Sequence, residues 1–193
     1  ILHEAPEVYE EADTFIEAGD WIVWMLTGKE SHSVCTTGFK ALWDEECGYP
    51  DSAFLKALHP SLENVTKTKL SDHVIKLSKH AGYITKDAEK TFGLKAGTPV
   101  SPAFIDAHAA LPALGVTRTG ELLMIIGTST CHILLSDKSA YVPGISGYVK
   151  DGIVDGLYAF EAGQASVGDS FEWLIQNCIP MAYYQDAAEQ GVN

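Results

Sequence analysis

The spacing of hydrophobic and polar positions predicts several helices and one strand in the first half of the chain. Apolar residues recur at helical spacing through residues 10–26, and Gly28 follows where a helix commonly ends. A shorter helix is predicted over residues 51–58. Another is predicted to begin after Thr85, whose hydroxyl can cap its first turn. Residues 73–77 favour a strand between these two helices.

The second half alternates between short apolar runs and small-residue stretches. Residues 99–105 are typical of an extended, buried segment, and a helix is predicted to follow from Asp106. Apolar runs at 121–126 and 131–136 flank the hydroxyl-rich segment 127–130. This arrangement predicts a β-hairpin with a polar turn.

Beyond the hairpin, residues 152–160 predict a further strand, preceded by a glycine-rich loop over 143–156. A helix is predicted to begin at Gly163 and run to residue 175. The apolar runs at 122–126 and 133–135 are typical of strands buried on both faces, because neither alternates with polar residues. Since the flanking elements that would cover them are absent, we expect exposed edges and apolar faces in this chain alone. Together these elements indicate an α/β protein.

Composition narrows the function classes. The chain is 46% hydrophobic and 20% charged, which is typical of a globular protein, and its formal net charge is −13. This charge disfavours nucleic acids and anionic membranes as partners. No apolar stretch is long enough to span a bilayer, and the four cysteines lack CxxC spacing, so we expect reduced thiols and a cytoplasmic location.

Two segments could carry chemistry at the edge of a cleft. Asp106 stands where the extended segment passes into a helix, a position that suits a ligand-binding carboxylate and equally a helix N-cap. The turn Gly127-Thr128-Ser129-Thr130 offers backbone N–H groups and three hydroxyls, which can hold phosphate oxygens without a helix dipole. An ordinary polar turn is the alternative.

Three further polar side chains stand in apolar or small-residue surroundings. Lys40 precedes Ala-Leu-Trp and could donate hydrogen bonds to a ligand, although surface lysines commonly lie along apolar neighbours in this way. Glu161 and Gln164 interrupt a run of small residues, where helix capping is the alternative.

A metal site built from Asp106, His108 and His132 is conceivable, but it lacks the spacing of known metal motifs. We expect His108 and His132 to be packed polar residues with hydrogen-bond partners, and we assign no metal ligand.

These signals follow one another in a recognisable order. The stretches that carry the likeness are Cys-Thr-Thr-Gly-Phe-Lys-Ala-Leu-Trp at 35–43, Ala-Phe-Ile-Asp-Ala-His at 103–108, Ile-Gly-Thr-Ser-Thr-Cys at 126–131, and Tyr-Ala-Phe-Glu-Ala-Gly-Gln at 158–164. In this order they resemble the FGGY family of carbohydrate kinases. The helix ending in Leu-Thr-Gly at 26–28 also resembles that family, so the likeness covers nearly the whole chain.

The resemblance implies an actin-like ATPase (ribonuclease H-like) fold with two domains and a cleft between them. Residues 1–119 would be the C-terminal part of the sugar-binding domain, and residues 120–193 the start of the ATP-binding domain. Because the family's first phosphate loop and its adenosine-binding segment are absent, we expect an internal fragment that is inactive and unstable alone.

The resemblance also implies roles for individual residues. Asp106 would be the catalytic base, Lys40, Glu161 and Gln164 would help to bind the sugar, and residues Gly127, Thr128, Ser129 and Thr130 would contact ATP. Mg²⁺ is the implied cofactor beside ATP, with its ligands outside this chain.

The Phe-Lys-Ala-Leu-Trp and Glu-Ala-Gly-Gln elements favour phosphorylation of a ketopentose, L-ribulose to L-ribulose 5-phosphate in L-arabinose catabolism, and the likeness is compatible with a homodimer. The rival interpretations are a non-catalytic actin-like nucleotide-binding or regulatory module and a metal-dependent hydrolase that uses Asp106 and His108.

Overall fold

A computed structural model describes residues 1–192, which form nine α-helices, a 3₁₀ turn at Pro60–Leu62 and eight strands. The helices are α1 (Pro6–Glu11), α2 (Ala18–Thr27), α3 (Val34–Ala41), α4 (Ser52–Leu58), α5 (Val65–Thr68), α6 (Lys86–Phe92), α7 (Asp106–Ala113), α8 (Val167–Cys178) and α9 (Met181–Gln190). The strands are β1 (His32–Ser33), β2 (Val74–Ile75), β3 (Gly82–Tyr83), β4 (Pro99–Val100), β5 (Leu122–Ile126), β6 (Thr130–Ser136), β7 (Gly147–Lys150) and β8 (Tyr158–Gln164). The α/β prediction is confirmed.

The first core forms around α2. Val23 packs with Ile84, Ala88, Val100 and Ala103, which come from the β3–α6 region and from β4 and the residues after it. The single helix predicted for residues 10–26 is wrong in extent, because the chain leaves helical geometry between α1 and α2. Its predicted end is confirmed: Gly28 has φ 70°, and its N–H donates to the carbonyl of Trp24.

Two predicted helix starts in this region are also confirmed. Asp51 caps α4 by accepting a hydrogen bond from the N–H of Phe54, and Thr85 caps α6 by accepting from the N–H of Ala88. Such caps satisfy backbone donors that have no partner within the helix. The predicted strand at 73–77 is shorter than expected and pairs in parallel with β1.

The buried carboxylate of Asp20 fixes the start of α3. Its side chain is 1% exposed and accepts hydrogen bonds from the N–H of Ser33 at 3.0 Å and from the hydroxyl of Thr36 at 2.5 Å. Burial raises the pKa of Asp20, although both hydrogen bonds oppose this shift. One carboxylate on α2 therefore orients the helix that carries Lys40.

Residues 122–164 form an antiparallel sheet with the strand order β5-β6-β8-β7. The predicted hairpin is confirmed, since Ile126 pairs with Thr130 across the turn and Leu122 pairs with Leu134. Strand β6 is central: its other edge pairs with β8, from Thr130 opposite Gln164 to Ser136 opposite Tyr158.

The elements after the hairpin differ from the predictions. Residues 147–150, expected in a loop, form β7. The strand expected at 152–160 is displaced to β8, and the helix expected from Gly163 begins only at Val167. The displacement has a tertiary cause, because the small residues 162–164 hydrogen-bond to β6 rather than to a helical turn of their own.

The second core lies on one face of the sheet. Leu111 of α7 packs with Ile133, Leu135, Ile153 and Ala159. Partly buried side chains join this core from the first half of the chain and from the loops around the sheet: Phe39, Phe104, Val116, Leu123, Ile125, Cys131, Val154 and Leu157. Helices α3 and α7 thus share a core with the sheet.

The opposite face of the hairpin is exposed, which is the outcome expected for these strands in this chain alone. Leu122, Met124 and Ile126 are 54%, 49% and 63% exposed. The intervening Leu123 and Ile125 contribute to the second core, so the side chains alternate between the two faces of β5. None of the helices within residues 1–192 combines the length and apolar character needed to cross a membrane.

We expect Asp20→Ala to lower the free energy of unfolding by about 2–6 kcal/mol, because two buried donors lose their acceptor at a cost of about 1–3 kcal/mol each. Asp20→Asn should lower the free energy of unfolding by less. Its amide oxygen can still accept a hydrogen bond, and the amide group brings no charge into the buried site. Urea denaturation of the three proteins measures the difference. Equal destabilisation by alanine and asparagine would contradict the hydrogen-bonding role.

Candidate functional site

The hydroxyl-rich turn lies at the end of the sheet where β5 passes into β6. The N–H of Gly127 donates to the carbonyl of Ser129 at 2.9 Å, which closes the turn. Thr128 and Ser129 are exposed, whereas Thr130 is 4% exposed. The hydroxyl oxygen of Thr130 is buried and has no hydrogen-bond partner among residues 1–192. A buried polar atom of this kind favours a bound ligand or water as its partner.

Helix α8 begins against this turn, which the sequence interpretation missed. The N–H of Gly168 donates to the carbonyl of Thr128 at 3.0 Å. A Cβ atom on Gly168 would stand 2.7 Å from the carbonyl oxygen of Gly127, so only glycine fits without a shift of the backbone. The turn therefore lies beside the positive end of a helix, contrary to the expectation that it acts without a helix dipole.

Asp106 is the first residue of α7. Its carboxylate is exposed and accepts a hydrogen bond from the N–H of Ala107 at 2.8 Å. The N-cap position belongs to Ile105, so the capping alternative for Asp106 is wrong. The Asp106 charge contributes to raising the pKa of Cys131 on β6, behind burial and Glu161. Asp106 thus lies close enough to the start of β6 to interact with it electrostatically.

Glu161 lies in the middle of β8, opposite Ile133, so the helix-capping alternative is wrong for this residue. Its carboxylate lies 3.7 Å from Nε2 of His108 and accepts a hydrogen bond from the thiol of Cys131 at 3.5 Å. Interaction with His108 is the largest cause that holds the pKa of Glu161 below its usual range, and the charge of Lys40 contributes. Glu161 is therefore ionised at neutral pH.

Lys40 and Gln164 are two further predicted sugar-binding residues, on α3 and on β8. Lys40 occupies the last turn of α3 and is exposed, and its effect on the pKa of Glu161 shows that the two charges interact. Gln164 ends β8 opposite Thr130, so helix capping is wrong for it as well. Three of the predicted sugar-binding residues therefore come from two elements, Lys40 from α3 and Glu161 and Gln164 from β8.

Glu161 lines three cavities, two of which are also lined by residues of the turn or of α3. One, of about 410 Å³, is lined by the turn residues Gly127, Ser129 and Thr130 together with Cys131, Glu161 and Gln164. The other, of about 280 Å³, is lined by Phe39, Trp43, Tyr148 and Glu161 among others. The aromatic residues of the second cavity come from α3, the residues just after it, and β7. Sequence reasoning identified the polar members but not the aromatic wall.

His108 is the buried partner of this site. It is 1% exposed; its Nδ1 lies 3.4 Å from Sγ of Cys35, and the ring of Phe39 packs on the imidazole with centroids 4.2 Å apart. The expectation that His108 is a packed polar residue with partners is confirmed. His132 is half-buried on β6, where alternation directs it away from the face that carries Cys131.

Within residues 1–192, only one group of three potential ligand residues clusters closely enough to hold a metal ion, namely His108, Cys131 and Glu161. It excludes Asp106 and His132. Mg²⁺ prefers six oxygen ligands, so this nitrogen, sulfur and oxygen set does not fit it. That the Mg²⁺ ligands lie outside this chain stays a prediction.

Comparison with known proteins agrees with the family resemblance found in the sequence. Residues 122–191 match the model of the C-terminal domain of the FGGY family of carbohydrate kinases. Over the whole chain, 45% of residues are identical to a ribulokinase from Bacillus licheniformis, and 46% to one from Halalkalibacterium halodurans. Residues 122–191 belong to the C-terminal domain of the FGGY family of carbohydrate kinases, and the whole chain is similar to these ribulokinases. It spans 35% and 34% of the length of these two relatives.

Solved FGGY-type kinases share the fold. A xylulose kinase from Rhodospirillum rubrum superposes with a TM-score of 0.76 at 24% identity, over 97% of this chain and 38% of its own. A glycerol kinase from Plasmodium falciparum, solved with ADP, superposes with a TM-score of 0.69 at 17% identity, over 91% of this chain and 35% of its own. The actin-like ATPase fold expected from the sequence is confirmed.

The close approach of α8 to the turn generates a prediction. Gly168→Ala should lower the free energy of unfolding by about 1–3 kcal/mol, the usual effect of overpacking. Helix propensity alone would give the opposite sign, since alanine favours helices over glycine by about 1 kcal/mol. Gly163→Ala is the matched control, because its Cβ would meet no atom closer than 3.8 Å. Chemical denaturation measures both, and a stabilised Gly168→Ala protein would contradict the close packing.

Proposed function

We propose that this chain is the acceptor-sugar and phosphate-binding part of an ATP-dependent sugar kinase. The observation that carries the proposal is the 410 Å³ cavity, which is lined both by residues of the hydroxyl-rich turn and by Glu161. ATP phosphates at the turn and a sugar hydroxyl near Glu161 would therefore meet within one cleft. The kinase names of the relatives support this assignment.

The substrate we propose is a ketopentose, L-ribulose, converted to L-ribulose 5-phosphate as in L-arabinose catabolism. Support comes from two relatives that share 45% and 46% of residues with the chain and are named ribulokinase. The polar residues Lys40, Glu161 and Gln164 offer both donors and acceptors, as a polyhydroxylated ligand requires.

We also propose a division near residues 119 and 120 between a sugar-binding and an ATP-binding domain. The family match to a C-terminal domain begins at residue 122, which supports this position. Side chains of α3 and α7 nevertheless contribute to the second core. The two parts would therefore meet through a packed contact at the site itself.

Asp106 is the proposed general base. A sugar hydroxyl is too weak an acid to ionise at neutral pH, so a carboxylate within hydrogen-bond reach must orient it and accept its proton during phosphoryl transfer. Asp106 is exposed, and within residues 1–192 its carboxylate accepts one hydrogen bond, from the adjacent Ala107 N–H to Oδ1, which leaves Oδ2 for substrate. Its place at the start of a helix fixes the backbone that carries it.

Lys40, Glu161 and Gln164 are the proposed orienting residues. Glu161 is ionised and can accept hydrogen bonds from sugar hydroxyls, while the Lys40 ammonium donates to other oxygens. Holding the acceptor in one geometry lowers the barrier by removing the entropy cost of alignment. The rigid strand β8 carries two of these three residues.

The turn residues Gly127, Thr128, Ser129 and Thr130 are the proposed phosphate contacts. Backbone N–H groups of the turn and hydroxyls of its side chains can donate to phosphate oxygens, and the start of α8 adds a favourable dipole. The unpartnered hydroxyl of Thr130 supports this assignment. Mg²⁺ would neutralise phosphate charge, held by residues beyond those described.

In a full-length protein that carries this chain, Asp106→Asn should leave the fold intact and reduce kcat by about 10²- to 10⁴-fold, the usual contribution of a general base. A coupled ADP-release assay with L-ribulose measures it. Asp137→Asn, an exposed aspartate just after the far end of β6, is the matched control and should retain normal turnover. Near-normal kcat for Asp106→Asn would remove the proposed base, and a non-catalytic nucleotide-binding module would then be the better description.

Thr128→Val should raise the KM for ATP by about 10-fold or more while the KM for the sugar changes little. The substitution keeps the shape but removes a hydroxyl, and hydrogen bonds to charged groups contribute about 1.5–3 kcal/mol. Thr119→Val, also exposed but before β5, provides the control. An unchanged KM for ATP would show that the turn is an ordinary connection.

A further inference from the structure

The strongest unexplained feature is the cluster of three potential metal ligands behind the sugar site. His108, Cys131 and Glu161 each present one ligand atom, and these atoms lie within 4.8 Å of one another. The Nε2 to carboxylate distance is 3.7 Å, and the Sγ to carboxylate distance is 3.5 Å. A tetrahedral ion with bonds of about 2.0–2.3 Å separates its ligand atoms by about 3.4–3.6 Å. Two of the three separations are thus already close to those of a bound ion.

The ligand types select the class of ion. An imidazole nitrogen, a thiolate sulfur and a carboxylate oxygen are the ligands that Zn²⁺ takes in proteins. Thiolate ligands disfavour Mg²⁺ and Ca²⁺, which prefer oxygen. Three protein ligands leave a fourth position of a tetrahedral ion open, and Cys131 and Glu161 both line the 410 Å³ cavity from which that position could be reached.

We propose that His108, Cys131 and Glu161 form a Zn²⁺ site whose occupation blocks the binding of the acceptor sugar. In forming the site, the thiol of Cys131 releases its proton to solvent and binds as thiolate, Glu161 binds as carboxylate, and His108 binds through the lone pair of neutral Nε2. The ion is therefore bound by two negative ligands and one neutral ligand.

The surroundings of His108 hold the ring in a suitable orientation. Phe39 packs on the imidazole, and Sγ of Cys35 lies 3.4 Å from Nδ1, so a proton on Nδ1 faces the sulfur while Nε2 faces Glu161. Partners of the second ring nitrogen commonly orient histidines that bind metals. The three ligands also lie on regular elements, α7, β6 and β8, which limits the movement needed for binding.

The local charge favours a cation as well. Asp106 is close enough to Cys131 to raise the pKa of its thiol, so a third negative group lies near the cluster. The charge of Lys40 opposes binding, but its side chain is exposed and can turn towards water.

The blocking effect rests on the proposed function, whereas metal binding does not. An ion that binds Glu161 removes an acceptor for sugar hydroxyls and occupies part of the cavity. Inhibition by Zn²⁺ should therefore be competitive with the sugar and not with ATP, which binds at the turn.

Binding is tested with Co²⁺, a spectroscopic substitute for Zn²⁺, on the full-length protein that carries this chain after treatment with a chelator. We expect one equivalent of Co²⁺ to produce a thiolate-to-cobalt charge-transfer band that Zn²⁺ displaces. Cys131→Ser should abolish the band, and His108→Gln should weaken binding by more than about 10-fold, an effect that even outer partners of a metal site can have. Circular dichroism confirms that each variant is folded.

Thiol controls make the assignment specific. Cys47→Ser and Cys178→Ser change exposed thiols outside the cluster and should leave the band intact. Cys35→Ser should also retain it, because Cys35 faces the ring nitrogen that does not bind the ion. A band that persists in Cys131→Ser, or that disappears in either exposed-thiol variant, would overturn the site.

Kinetics then separate the two proposals. Zn²⁺ at about ten times its Kd should raise the apparent KM for L-ribulose about 10-fold, as mutually exclusive binding requires, and Cys131→Ser, compared with its own metal-free rate, should resist it. A protein that binds Co²⁺ through Cys131 but phosphorylates no sugar would refute the proposed kinase function and leave the metal site standing. An active kinase without the cobalt band would refute the metal site alone.

Discussion

The buried imidazole of His108 is the interaction on which the arrangement of the site depends. It lies on α7, contacts Cys35 and Phe39 of α3, and approaches Glu161 of β8. Because the ring is 1% exposed, loss of these partners would leave polar atoms unpaired at a cost of about 1–3 kcal/mol each. One side chain therefore holds α3 and its own helix α7 against the sheet.

This constraint couples the candidate functional residues. Asp106 begins the same helix two residues before His108, and Lys40 follows Phe39 directly. A shift of the imidazole would move the proposed base, the proposed donor and Glu161 together. The Asp20 carboxylate adds a second constraint, because it fixes the start of α3 through Ser33 and Thr36. The geometry of the site is thus determined by buried polar contacts as well as by the apolar core.

The local sequence was sufficient to predict some elements of the fold and insufficient to predict others. The hairpin around 127–130, the αL glycine at Gly28 and the cap at Thr85 depend on neighbouring residues, and each was predicted correctly. Strand β8 depends on pairing between Thr130 and Gln164, far apart in the chain, so its small residues favoured a helix on local grounds. The contact between His108 and Glu161 is equally non-local, and the roles of Asp106, Lys40 and Glu161 were inferred from family resemblance rather than from spacing.

The net charge of −13 raises the question of how such a chain could hold the phosphates of ATP. Exposed charges are screened over about 8 Å at physiological ionic strength, so distant carboxylates contribute little at the turn. Groups that touch a phosphate decide the local potential, and the proposed phosphate contacts are hydroxyls of the turn beside the start of α8. Glu161, on the same cavity, stays ionised beside His108 and Lys40. A phosphate-binding end and an acceptor for hydroxyl groups can therefore coexist in one cleft, because each is determined by contacts within a few ångströms rather than by the charge of the whole chain.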